Sequence, residues 1–390
     1  MLNKDITFIY MDSAEKSFMS LLAEEARTRG YKTTVTNDKF ASCEIGVYCQ
    51  HINFPQFSKF SVVMLHDIIQ QYGNWPDLWF REPWNKYDIG ILPSRQWVKN
   101  WNQCSQWKYA RPRKGMFLVG WPKADHVANL DKRKYRHDFY RKYGLNLERK
   151  TILYAPAWEN DNKEDDFVKS VLGLDVNIII KQWDANPVDY PMQVENVKKM
   201  AELHRDIPGV TVLPPSMNIF DAILAADILV SEESSTMSEA AMLGVPAVSV
   251  SNWLIPDTIP SRYPECNYDF VTKTQKENLR NCIDDMLLHY SKYKRETERY
   301  AENNFSNVGC SCKMILDIID DCVDGKRIRY EALKPKVNQN VPLKKNIRRL
   351  KEQLWREMYA NWKERYILFG VTWKFLKGIK DFIKKGERYK

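Results

Sequence analysis

Apolar positions in the first half of the chain form short β-type runs, separated by longer stretches with an apolar stripe at helical spacing. Asp5–Tyr10 reads as a strand. Ser13–Arg29 places Phe18, Leu21, Leu22 and Ala26 on one helix face, and Gly30 is placed as its C-terminal cap. Lys32–Val35, Glu44–Tyr48, Ser61–Leu65, Tyr87–Leu92 and Met116–Val119 continue as strands. Asp131–Tyr143 is a basic, polar helix ended by Gly144. Near Gly144–Lys150 the pattern starts again. Thr151–Ala155, Val176–Lys181, Val210–Leu213, Asp227–Ser231 and Ala247–Val250 read as strands. Pro191–Arg205, Asn218–Ala226, Ser235–Leu243, Lys276–His289, Tyr293–Asn303 and Cys312–Val323 read as helices.

Apolar strands alternating with helices imply mostly parallel sheets covered on both faces. The chain of 390 residues is too long for one ordinary core. The expectation is an α/β protein of two Rossmann-like domains, residues 1–145 and 146–325, facing a cleft, followed by a basic amphipathic helical tail, 326–390. Ligands in such folds bind outside the carboxyl ends of the strands.

Charge divides the chain unequally. The net charge is +9, yet 341–390 alone hold fifteen Lys/Arg against five Asp/Glu, and the other 340 residues hold 44 against 45. A neutral body with one basic appendage argues against a nucleic-acid partner. In the tail, Leu343, Ile347, Leu350 and Leu354 share a helical face with Lys344, Lys345, Arg348 and Arg349 between them. Further on, Trp373, Phe375, Leu376, Ile379, Phe382 and Ile383 lie among Lys374, Lys377 and Lys380. Basic residues with aromatic anchors suit an anionic membrane surface; a solvated helix packed on the body or on a second subunit is the alternative. No apolar run reaches the ~20 residues that span a bilayer. The eight cysteines include no C-x-x-C pair, and no histidine cluster accompanies Cys310 and Cys312, so zinc is not expected. Reduced thiols and a start that lacks an export signal point to the cytoplasm.

Four segments carry candidate chemistry. Asp227-Ile-Leu-Val-Ser-Glu-Glu-Ser-Ser-Thr236 is a strand followed by a hydroxyl-rich turn, and an Ala-rich helix with Glu239 comes next. Free N–H groups at the turn around Ser234, Ser235 and Thr236 suit the phosphates of a nucleotide, and Glu239 suits ribose hydroxyls. Thr236-x-x-Glu239 also fits a capping box that needs no ligand. Val62-Val-Met-Leu-His66-Asp67 ends a strand on a histidine, a general base for an acceptor hydroxyl, with Asp67 the runner-up; a histidine bonded to a loop is the alternative. Gly120-Trp-Pro-Lys-Ala-Asp125 is a turn that offers Lys123. Ile152-Leu-Tyr-Ala-Pro156-Ala-Trp158 is a strand breaking at proline, and Lys181, ending the strand of Ile178–Ile180, either pairs with a phosphate or is a solvated strand end.

In this order the four segments resemble the CDP-glycerol glycerophosphotransferase family of teichoic-acid and capsule synthesis, within the GT-B group. The matching residues are His66-Asp67, Gly120-Trp-Pro-Lys-Ala-Asp125, Leu153-Tyr-Ala-Pro-Ala-Trp158 and Glu232-Glu-Ser-Ser235. The resemblance implies His66 as catalytic base and Ser234, Ser235 and Thr236 as holders of the donor phosphates. Gly120, Lys123, Asp125, Pro156, Lys181 and Glu239 fall in the donor set. Asp67 stands where the family has Gly, Glu233 where it has Tyr, and Lys181-Gln182 where it has His-Pro, which alters the phosphate side. The Ser-Ser-Thr…Glu-Ala…Leu-Gly-Val-Pro run also resembles nucleotide-sugar glycosyltransferases and epimerases of the same fold.

The expected activity is a metal-independent transferase with no cofactor. It moves a nucleotide-activated sugar or glycerol-phosphate-like group onto a lipid-linked or polymeric glycan acceptor, peripherally at the inner face of the cell membrane. A UDP-, GDP- or CMP-sugar glycosyltransferase, a non-catalytic membrane scaffold of the same fold and a soluble epimerase are the other readings.

Overall fold

In a computed structural model, the structure describes residues 2–337, except 12, 50–52, 69–78, 80–81, 161, 189, 233 and 254–268, together with 351, 354–355 and 358. Two six-stranded sheets form the frame. The first runs β2-β1-β3-β4-β5-β6, made of β1 (Asp5–Ile9), β2 (Lys32–Thr36), β3 (Cys43–Cys49), β4 (Ser58–Met64), β5 (Ile89–Leu92) and β6 (Gly115–Leu118). The second runs β12-β11-β10-β7-β8-β9, made of β7 (Lys150–Tyr154), β8 (Val176–Ile180), β9 (Val210–Val212), β10 (Ile228–Ser231), β11 (Ala247–Val250) and β12 (Val271–Thr274). All ten strand pairings are parallel. Every residue of β5, β8, β10 and β11 is buried, as expected for central parallel strands with helices on both faces. The α/β, GT-B-like pair of Rossmann-like domains expected from the hydrophobic pattern is therefore the observed fold.

The chain does not stay in its second domain to residue 325. The helix Ser311–Val323 crosses back and lays Ile315, Ile318 and Ile319 into one core cluster with Phe18, Leu22 and Ala26 of the helix Ser13–Thr28. Arg29 fixes the crossing, with Nη1 2.8 Å from both Asp317 Oδ1 and Asp320 Oδ2, while the Tyr31 hydroxyl donates to Asp320. Residues 326–337, assigned from sequence to a helical tail, are non-helical and follow the first domain, where Leu333 N donates to Met116 O. The remaining tail residues named from sequence, Lys344, Lys345, Arg348, Arg349, Trp373, Lys374, Lys377 and Lys380, lie outside the described residues. Among the described residues no helix is long and apolar enough to cross a membrane.

Two positions in the turn after β6 serve this crossing. Gly120 has φ +106°, and a Cβ there would stand 2.6 Å from Ser306 O and from Ser311 Oγ. Only glycine lets the returning segment approach so closely. The Asp125 carboxylate accepts from Ser311 N at 3.1 Å and Cys312 N at 2.6 Å, capping the helix Ser311–Val323. Gly120 and Asp125 were expected at the donor; the structure uses both to dock the returning helix.

Candidate active site

The two sheets point their carboxyl ends at a shared cavity of about 390 Å³. From the first domain come His66 and Asp67, just past β4, and Trp121 and Lys123, past β6. From the second come Ala155–Trp158 past β7, Lys181–Asp184 past β8 and Ser234–Thr236 past β10. Of the expected site residues, His66, Asp67, Lys123, Pro156, Lys181, Ser234, Ser235, Thr236 and Glu239 all line this cavity.

The His66 turn is held from behind by a helix that periodicity did not reveal, Arg95–Asn102. Its N-cap Ser94 accepts from Trp97 N and donates Oγ–H to Ile68 O at 2.8 Å. The Trp97 indole N–H donates to Asp67 O at 3.0 Å. His66 and Asp67 are thereby presented half-buried, with Nε2 2.9 Å from Asp67 Oδ2. A carboxylate at that distance orients an imidazole and stabilises its charged form.

The hydroxyl turn differs from the capping box that its sequence suggests. Ser235 at the N-cap position makes no side-chain cap bond to the helix Thr236–Met242. The Thr236 hydroxyl instead donates to Ala155 O at 3.3 Å, tying the turn to the β7 loop. Glu239 does not reach back to the helix start. It is buried, and its Oε1 accepts from the Trp121 indole N–H at 3.0 Å and from Lys123 Nζ at 3.1 Å. This is a contact between domains, so Oε1 is committed to the first domain rather than open to a ribose. Lys181 is not a solvated strand end. It is buried and donates to Gln182 O at 2.9 Å and Pro215 O at 2.7 Å. Burial and then the charge of Lys123 bring its pKa down to about 8. Its ammonium is held by neutral carbonyls beside a second lysine, with Asp184 and Glu239 acting more weakly in the opposite sense, a setting that suits an anion.

Under the β7 and β8 loops lies a buried polar layer absent from the sequence reading. Glu232 and Lys163, both fully buried, stand 3.4 Å apart. Glu232 Oε1 accepts from Ala157 N at 2.8 Å and Trp158 N at 3.3 Å. Beside them Gln182 donates to both Glu159 and Glu164, and the Tyr154 hydroxyl donates to Glu159. Glu164 also pairs with buried His204 at 2.8 Å. Burial pushes the Glu159 carboxyl up to about 7. Burial opposes charge on His204, but the hydrogen bonds and negative charges of Glu164 and Asp165 together outweigh it and the pKa is raised.

Both shifts favour the proton in the folded state, and the sign of the linkage follows. Between pH ~4.5 and ~7 folded Glu159 holds a proton that unfolding releases, so stability falls as pH rises, by at most about 1.4 kcal/mol per pH unit. His204 adds a contribution present below its unfolded pKa of ~6.5 and lost as pH rises through its higher folded value. The urea midpoint is therefore expected to decline from pH 5 to 8, and Glu159→Gln to flatten the part below pH 7. An undiminished slope in that variant would exclude Glu159 as its source.

Comparison with known proteins bears on the family and the fold. The sequence profile of the CDP-glycerol:poly(glycerophosphate) glycerophosphotransferases matches residues 69–252, and no curated protein matches by sequence. Among solved structures, the wall teichoic acid polymerase TagF is 14% identical, with a TM-score of 0.58 over 83% of this chain and 90% of that one. A putative UDP-N-acetylglucosamine 2-epimerase from Listeria monocytogenes is 14% identical, with a TM-score of 0.60 over 86% and 100%. UDP-GlcNAc 2-epimerase from Neisseria meningitidis, bound to UDP-GlcNAc, is 14% identical, with a TM-score of 0.54 over 81% and 100%. These likenesses establish the fold. The chain has a GT-B-like fold, and its residues 69–252 are similar to the CDP-glycerol glycerophosphotransferases, the family its motifs resemble.

Proposed function

We propose that this chain is a transferase of cell-surface polymer synthesis that moves a nucleotide-activated, glycerol-phosphate-like group onto a hydroxyl of a membrane-linked glycan. The single observation that carries this reading is the composition of the cavity. An imidazole–carboxylate pair and Lys123 from one domain face Lys181 and a hydroxyl turn of the other. His66 takes the proton of the acceptor hydroxyl, and Asp67 steadies the imidazolium that results. With a CDP-glycerol-type donor, the acceptor oxygen bonds the glycerol-bearing phosphorus while the bond to the nucleoside monophosphate breaks. Lys123, Lys181 and the Ser234–Thr236 turn hold the phosphate charge as it shifts to the leaving group, so a positioned cation set performs what a metal does elsewhere. The basic tail holds the enzyme at the cytoplasmic face of the membrane, where the lipid-linked acceptor is presented.

Calorimetric titration of the full chain with CDP-glycerol, CDP-ribitol and a series of UDP-, GDP- and CMP-sugars tests the donor. Saturable binding of a CDP-activated polyol is the expected result. Preference for a nucleotide sugar would move the protein to the glycosyltransferases, and binding of none would favour the scaffold.

A further inference from the structure

Among the described residues, the tryptophans of the core and those at the cavity differ. Trp84, Trp97, Trp101 and Trp121 are fully buried and serve the core. Trp158 and Trp183 stay half-exposed, come from two different loops and line the cavity together. Their ring centroids lie 4.9 Å apart at 65°, and Tyr190, 37% exposed, stands 5.2 Å from the first and 4.8 Å from the second. Edge-to-face contacts among the three rings fix one another's orientation. Such a cluster, kept partly in water beside a cavity, is poorly accounted for by core packing. Asp184 follows Trp183 and lines the same cavity.

We propose that Trp158, Trp183 and Asp184, buttressed by Tyr190, form an acceptor subsite for a neutral sugar ring. The argument rests on the proposed function above, in which donor and acceptor share this cavity. An aromatic face takes the C–H face of a pyranose, and an adjacent carboxylate accepts hydrogen bonds from its neighbouring hydroxyls. The same carboxylate, exposed at the cavity edge, places a negative charge where a phosphodiester polymer would bring another, and so favours a neutral chain there. The lysines that suit phosphate are Lys123 and Lys181, which the donor reading already uses. The acceptor end received here is therefore an uncharged glycan rather than a poly(glycerol phosphate) chain.

The test titrates the full chain with chitotetraose, maltotetraose, mannotetraose and a glycerol-phosphate tetramer, following tryptophan emission, with CDP and UDP titrated in parallel by calorimetry. At least one neutral oligosaccharide is expected to bind saturably and more tightly than the glycerol-phosphate tetramer. Trp183→Ala and Asp184→Asn should each weaken it about tenfold. Trp183→Phe, which keeps an aromatic face, should stay within about threefold, and nucleotide affinity within about twofold in all three variants. The subsite is overturned if no neutral oligosaccharide binds the unmodified protein. Tighter binding of the glycerol-phosphate tetramer overturns it as well. So does a Trp183→Ala variant that loses nucleotide rather than glycan, which would make the cluster a base platform. Glycan binding without any nucleotide binding would leave the subsite standing and sink the donor reading instead.

Discussion

Replacing His66 with Ala is expected to lower transfer by about 10²- to 10⁴-fold while donor affinity stays within about twofold. The asymmetry follows from where the residue sits. His66 stands at the end of β4, whereas the groups suited to the donor are Lys123 past β6 and Lys181 and the Ser234–Thr236 turn of the second domain, none of which depends on the imidazole. Removing the imidazole therefore takes away the proton acceptor and leaves the phosphate side intact. Asp67→Asn should give a smaller loss, because the ring remains but the carboxylate 2.9 Å from Nε2 no longer stabilises its charged form. Single-turnover rates at saturating donor, with calorimetry on the same preparations, separate the two quantities. Unchanged turnover in His66→Ala would remove the assigned base. A parallel fall in donor affinity would instead place His66 in phosphate binding.

The sequence made the strand ends legible and left their supports hidden. Each cavity loop follows a short apolar run that reads plainly as a buried parallel strand, so His66, Lys181 and the Ser234–Thr236 turn could be located by position alone. What periodicity could not supply was the helix behind the His66 turn. Arg95–Asn102 has only eight residues, and its buried face of Trp97, Asn100 and Trp101 is too short, with a polar residue in its middle, to stand out as a periodic stripe. Its importance appears only when Trp97 is seen to donate to Asp67 O, 30 residues back. Asp125 failed in the opposite sense. A turn of Gly, Pro, Lys and Asp has the same local chemistry whether it faces a phosphate or caps a helix, and the helix it caps begins 186 residues later. Trp183 and Asp184 were visible as letters, yet nothing local distinguishes a cavity tryptophan from a core one. That distinction depends on the loop after β8 meeting the loop after β7.

The largest stability effect is expected from Lys163→Met, at about 3–5 kcal/mol, read from the shift of the urea midpoint. In the sequence Lys163 opens a Lys-Glu-Asp-Asp run. In the structure it is fully buried, with Nζ 3.3 Å from Trp158 O and 3.4 Å from Glu232 Oε1. Truncating it strands the buried Glu232 carboxylate without its cation, and that uncompensated charge is what costs the stability. Lys163→Met combined with Glu232→Gln should accordingly recover part of the loss, since the second change removes the charge left behind. The functional consequence follows the same bonds. Glu232 holds Ala157 N and Trp158 N, and its Oε2 accepts from the Ser231 hydroxyl, so this pair forms the underside of the β7 loop. Even the stable double variant should weaken glycan binding, because the Trp158 ring is carried by a loop whose anchor has been exchanged. Equal stability loss in single and double variants would mean that packing volume, not buried charge, holds this layer together.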